Sequence, residues 1–198
     1  AAHTVVAVDR RGSGETRPPE GLAPGPIDVA EHVGDLAAIL ASEGIGPVLV
    51  AGHSYGGCLA LELAARRPDL VSGVWVHEPP YAPVGPPEVR AALVEVGERT
   101  AAAARNGEPG DAAETFLAAV AGSAAVASLS AGARARVRQA GRGALADATL
   151  LGFEPDGLGR VACPVVISTG AASEPFYRVI AKALLERIPT ARLTTIDG

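Results

Sequence analysis

Methionine is absent from the 198 residues, cysteine occurs twice, tryptophan once, and phenylalanine and tyrosine three times each. Two cysteines, Cys58 and Cys163, make no disulfide framework and fit no metal-ligand spacing, so both read as small buried apolar side chains and no metal is expected. No apolar run approaches the roughly 20 residues a bilayer-spanning helix needs, and no basic segment precedes an apolar core and cleavage site at the N-terminus. An excess of positive charge is also missing: 17 Lys and Arg stand against 22 Asp and Glu, a net charge of -5, with the basic residues dispersed. That excludes the electrostatic footprint of a nucleic-acid binder. The sequence therefore predicts a soluble, cytoplasmic protein with no nucleic-acid or membrane partner; its oligomeric state is not encoded in any pattern. Glycine-rich turns with Walker or dinucleotide spacing do not occur, so no cofactor is expected. With no methionine and Ala1 already close to a strand, the chain reads as beginning inside a longer protein.

What is present is a hydrophobic content of 48%, that of a globular chain long enough for one sizeable core. The centre of the pattern is Gly52-His53-Ser54-Tyr55-Gly56-Gly57, between the apolar run Val48 to Ala51 and an Ala/Leu-rich stretch from Cys58 to about Arg67. Strand, sharp turn and helix with serine at the apex is the G-x-S-x-G nucleophile elbow, whose strained backbone requires neighbours without side chains at positions 52 and 56.

In chain order, Thr4 to Val8 predicts a short strand ending in the turn Asp9-Arg10-Arg11-Gly12-Ser13-Gly14. Helical spacing of Val29, Val33, Leu36 and Leu40 follows Asp28, a candidate N-cap, with Gly44 as the stop. Leu70 to Val76 is a buried-strand pattern stopping at His77-Glu78-Pro79-Pro80. Val89 to Arg105, Asp111 to Ala121 and Ala131 to Leu151 are alanine-rich and helical, with no strand pattern among them. Pro164 to Thr169 restores a strand, Phe176 to Ile188 a helix, and Arg192 to Ile196 a last strand. Alternating strands and helices predict an α/β fold: a mostly parallel sheet with flanking helices, plus an all-helical insertion.

These residues resemble the α/β-hydrolase superfamily over most of the chain. Val5 to Gly14 is similar to its fourth strand and D-x-R-G-x-G turn, the elbow follows the fifth, Arg67-Pro68-Asp69-Leu70 leads into the sixth, and Cys163-Pro164-Val165 into the seventh. The resemblance implies an incomplete hydrolase core at residues 1–81 and 161–198 with a helical cap at 82–160. Val5 to Val8, without the family's third strand beside it, is expected to pair next to Val48 to Ala51 or to stay poorly attached. The implied chemistry is a serine hydrolase acting on a small, largely apolar ester or related acyl substrate, with Ser54 as nucleophile and the Tyr55 backbone N–H as one oxyanion donor.

Two positions depart from the family pattern. Its base is a histidine shortly after the eighth strand, where this chain has Ile196-Asp197-Gly198. His3, His32, His53 and His77 do not replace it: His3 and His32 read as surface or helix-face residues, His53 as structural under the elbow, and His77 lies at the site edge in the wrong chain order. The base is thus expected beyond Gly198, and the 198 residues alone are expected to be inactive. The family's acid follows the seventh strand as G-x-x-D, where Gly170-Ala171-Ala172-Ser173 has serine. Glu78, at the end of the sixth strand, is the candidate acid, with Glu174 the alternative. A catalytically silent protein that binds a small ligand or partner in the capped pocket is the competing reading.

Overall fold

Asp28 starts the first helix by the mechanism its composition suggests. Its carboxylate accepts the Ala30 N–H at 2.7 Å, and Glu31 reaches back to accept the Asp28 N–H at 3.3 Å, a capping box that satisfies donors a helix start leaves open. Helix α1 runs Val29–Ser42, buries Val29 and Val33, and gives way to Gly44 at φ +63°. The structure, a computed structural model, describes residues 3–16, 27–147, 153, 155 and 157–197.

Four strands follow among the described residues: β1 (Val48–His53), β2 (Val71–His77), β3 (Val165–Gly170) and β4 (Ala191–Ile196). All pair in parallel, in the spatial order β1-β2-β3-β4. Helix α2 (Tyr55–Arg66) connects β1 to β2, and α8 (Pro175–Arg187) connects β3 to β4, the crossovers that parallel pairing demands. The core lies between sheet and helices: Leu59, Leu61 and Leu63 of α2, Val74 and Val76 of β2, Val165 and Ile167 of β3, and Ile180 and Leu184 of α8 are buried. The α/β architecture with a parallel sheet is thus as the alternation predicts.

The remaining helices are α3 (Pro87–Asn106), α4 (Pro109–Ala121), α5 (Ser123–Ala127), α6 (Ala131–Gln139) and α7 (Gly141–Ala146). The predicted helical stretches are present, with the last of them broken at Ala140 and its residues 148–151 outside the described set. Just past the break, Gly141 is closely packed. A Cβ on Gly141 would stand 1.8 Å from the Pro109 carbonyl oxygen, so α7 approaches α4 more closely than a side chain allows. Arg134 grips Glu114 through both carboxylate oxygens at 2.8 and 2.7 Å, and Arg138 reaches Asp111 at 2.6 Å, fastening α6 to α4.

The chain divides into two compact units, Ala1–Ile27 with Val96–Ala148, and Asp28–Glu95 with Thr149–Gly198. The first combines the turn after Asp9 with the helices from the end of α3 to α7 and contains a pocket of about 320 Å³ lined by Arg10, Phe116, Leu117, Val137 and Asp147. The second holds the sheet, α1, α2 and α8.

One element differs from expectation. Thr4 to Val8 forms no strand, and Val5 is 84% and Val6 50% exposed. The preference of valine for strands records packing on a pleated, half-buried surface, and no described residue pairs with this segment to provide one. The turn after it does form: Gly12 and Gly14 adopt φ +81° and +52°, and the Asp9 carboxylate accepts the Glu15 N–H at 3.2 Å.

Candidate active site

The C-terminal ends of three adjacent parallel strands carry the site. At the end of β1, Ser54 holds φ +50° and ψ -123°, a left-handed conformation that costs a non-glycine residue energy and that the surrounding structure must impose. Its N–H donates to the His77 carbonyl at 2.9 Å, tying the turn to the end of β2, while its own carbonyl accepts the Gly57 N–H at 2.9 Å and so begins α2.

The glycine requirement falls partly where expected. A Cβ on Gly52 would stand 2.2 Å from the Gly56 carbonyl oxygen, and one on Gly57 would lie 3.2 Å from the Gly52 carbonyl oxygen and from Pro79. A Cβ on Gly56 would meet nothing within 4 Å. The close approaches are therefore at Gly52 and Gly57, and position 56 is sterically open, contrary to the reading from the motif.

Tyr55 is the first residue of α2, so its backbone N–H belongs to the helix N-terminus. Its ring is buried and meets His32 edge-on, centroids 5.6 Å apart; His32, read from sequence as a surface or helix-face residue, is 1% exposed. His53 also departs from expectation. It is exposed at the end of β1 and stacks on His77 at 5.5 Å rather than packing beneath the elbow.

Buried Ser168 on β3 organises His77. The Ser168 hydroxyl accepts the Trp75 indole N–H at 3.0 Å, donates to the Val76 carbonyl at 3.1 Å, and lies 3.1 Å from His77 Nδ1. With its proton directed at Val76, the hydroxyl is placed to accept from His77 Nδ1 when that nitrogen is protonated. His77 Nε2 then faces Glu78, 3.9 Å from Oε2.

Glu78 is the second non-glycine residue with positive φ, at +48°. Its N–H donates to the Ser168 carbonyl at 3.0 Å, and its Oε1 accepts the Gly170 N–H at 2.9 Å. Burial pushes the carboxyl up, but the hydrogen bonds from Ser173 and Gly170, with the His77 and His53 rings nearby, outweigh it and hold Glu78 below the usual glutamate range. Glu174 by contrast is exposed, at the N-cap of α8, with no capping hydrogen bond from its side chain.

Ser54, His77 and Glu78 are thus linked through β1 and β2, and sequence reasoning had singled out each of them. It missed Ser168, whose position inside a strand pattern carries no signal, and the hydrogen bond from Ser173 to Glu78, since Ser173 is visible in sequence only as a serine in a G-x-x-D position. No group of three or more His, Cys, Asp or Glu suited to a metal ion occurs among the described residues, and no described helix is long and apolar enough to cross a membrane.

Known proteins share this architecture. A lipase, LipV of Mycobacterium tuberculosis, is 45% identical over 78 residues, 39% of this chain and 28% of the lipase, so the match spans less than a third of that relative. An alpha/beta hydrolase from Sphaerobacter thermophilus is 26% identical with a TM-score of 0.64, over 96% of this chain and 72% of that one. A thermophilic esterase from Thermogutta terrifontis shares the fold at a TM-score of 0.61 and 24% identity, over 95% of this chain and 69% of the esterase. A sequence profile described as the alpha/beta hydrolase family matches residues 1–198, from the first residue to the last. With a parallel sheet, a strained serine between strand and helix, and this end-to-end match, the chain belongs to the alpha/beta hydrolase family.

Proposed function

We propose that this chain carries the nucleophile, one oxyanion donor and the orienting acid of a serine hydrolase acting on small, largely apolar esters or related acyl compounds. The observation that carries the reading is Ser54 at φ +50°, ψ -123° at the apex between β1 and α2, strain that a merely structural turn has no reason to keep at a serine. In this reading the Ser54 oxygen attacks the acyl carbon while its proton passes to a histidine base oriented by Glu78. Negative charge then develops on the former carbonyl oxygen. The Tyr55 N–H, at the positive end of α2, stabilises it. Expulsion of the alcohol, which takes the proton back from the base, leaves an acyl-Ser54 that water cleaves by the same steps in reverse order. Residues 82–160 are read as the cap that shapes the pocket for a small-molecule substrate. The lipase and esterase relatives support acyl chemistry without fixing the acyl group.

Protein produced from the complete reading frame tests this. A fluorophosphonate probe is expected to label Ser54 and p-nitrophenyl ester turnover to accompany labelling, with both lost in Ser54→Ala. Absence of labelling in a folded protein would sink the enzyme reading and favour a silent ligand-binding member, a reading that draws on His77, whose two ring nitrogens both face protein groups.

A further inference from the structure

Ser173 occupies the place after β3 where the family pattern carries an acid, and in the structure its hydroxyl hydrogen-bonds the carboxylate of Glu78, which comes from the neighbouring strand. Three features show that this is an arrangement rather than a chance contact. The Ser173 N–H closes a turn onto the Gly170 carbonyl at 3.4 Å, and the Gly170 N–H donates to Glu78 Oε1 at 2.9 Å, so one turn supplies both donors. A Cβ on Gly170 would lie 2.4 Å from Ser173 Oγ and 3.4 Å from Glu78 Oε1, so a side chain at 170 would have to displace the Ser173 hydroxyl from its place beside the carboxylate. The backbone of Glu78 has φ +48°, and its N–H donates to the Ser168 carbonyl at 3.0 Å, which fastens the residue to β3.

We propose that Ser173 is a positioning residue for Glu78: with the Gly170 N–H it fixes the rotamer of the carboxylate, leaving its remaining lone pairs for the histidine base. The proposal rests on the reading of Glu78 as the orienting acid. The other groups facing Glu78 are His77 on β2, with Nε2 at 3.9 Å, His53 on β1, and the Tyr177 phenol on α8, which feels the Glu78 charge.

The test pairs a spectroscopic titration with kinetics. Carbon-13 NMR of the Glu78 carboxyl in Ser173→Ala is expected to show its midpoint moved upward by about one pH unit, the size of one charge-assisted hydrogen bond, and in Ser173→Thr to show it restored. In protein from the complete reading frame, Ser173→Ala is expected to lower kcat about tenfold with KM unchanged, and Ser173→Thr to recover most of it. A Glu78 midpoint unmoved in Ser173→Ala overturns the proposal, as does a moved midpoint with kcat untouched. Glu78→Gln separates this from failure of the underlying reading: full turnover in that variant removes Glu78 from the mechanism, whatever Ser173 does to its titration.

Discussion

Two glycines on either side of Ser54, one in β1 and one in α2, make opposite demands. Gly52 faces backbone that cannot move aside, with the Gly56 carbonyl oxygen 2.2 Å from its virtual Cβ, whereas Gly56 faces open space and has no positive φ. Gly52→Ala is therefore expected to cost about 3 kcal/mol or more, through displacement of the elbow. Gly56→Ala is expected to be neutral or to stabilise by up to about 1 kcal/mol, since alanine is the better helix former. Urea denaturation of both variants checks the pair, and equal destabilisation would show that the motif's second glycine is packed after all. Glu78 offers a second test at this scale. Its carboxyl titrates below the ordinary 4.5, so in the folded state it binds fewer protons than in the unfolded chain between that value and its own lowered pKa. The stability this supplies is fully present above about pH 4.5 and lost as pH falls through the folded-state pKa. Glu78→Gln is thus expected to be less stable than the parent near neutrality, with the difference shrinking as the pH is taken below about 4.5.

At the level of elements, α2 carries a buried charge that the nucleophile does not require. Glu62 is fully buried, accepts the Arg66 Nε–H at 2.9 Å and accepts the hydroxyl of Tyr81, itself 0% exposed. Burial, reinforced by the Glu62 charge, pushes the Tyr81 phenol far up, so it stays a donor. Tyr81 lies three residues after Glu78, beyond Pro79-Pro80, and packs edge-on against Phe153 at 5.1 Å. The bond therefore anchors to α2 the segment that leaves the site. Tyr81→Phe keeps the ring packing but removes one partner of a buried carboxylate, and is expected to cost about 1–3 kcal/mol. Glu62→Leu combined with Tyr81→Phe should cost less than the sum of the two single changes, because both ends of the same buried hydrogen bond are then removed, while Arg66 is partly exposed and can turn to solvent. Trp75, the one tryptophan, sits on β2 of the same unit and reports its unfolding by fluorescence. Strict additivity would show that the pair does not interact.

Across the whole molecule, local pattern was legible and cross-strand placement was not. The helical spacing and capping residues of α1, the proline ending α2, and the runs that became β1 to β4 act within a few residues, so one dimension records them. The bonds that build the site join positions 78 and 170, or 77 and 168, about ninety residues apart, and exist only because β2 and β3 pair in one register. A serine in an aspartate's place has no meaning until that register places it beside a glutamate. Thr4 to Val8 fails in the opposite direction: the residues favour a strand and no ladder receives them.

The same pairing rule makes a prediction about the chain's surface. Among the described residues no strand pairs with the outer edge of β1, and Leu49 on β1 is 77% exposed and Trp75 on β2 51%. An apolar open edge is a template for a second chain, and inserting a charge is the usual way that such edges are kept apart. The 198-residue chain is expected to associate with rising concentration in static light scattering. Leu49→Lys should suppress that association while leaving the unfolding midpoint nearly unchanged, since an exposed side chain contributes little to stability. Association that persists undiminished in Leu49→Lys would move the contact away from β1, and loss of the unfolding midpoint would show that Leu49, which lies over Gly73, is a packing residue despite its exposure.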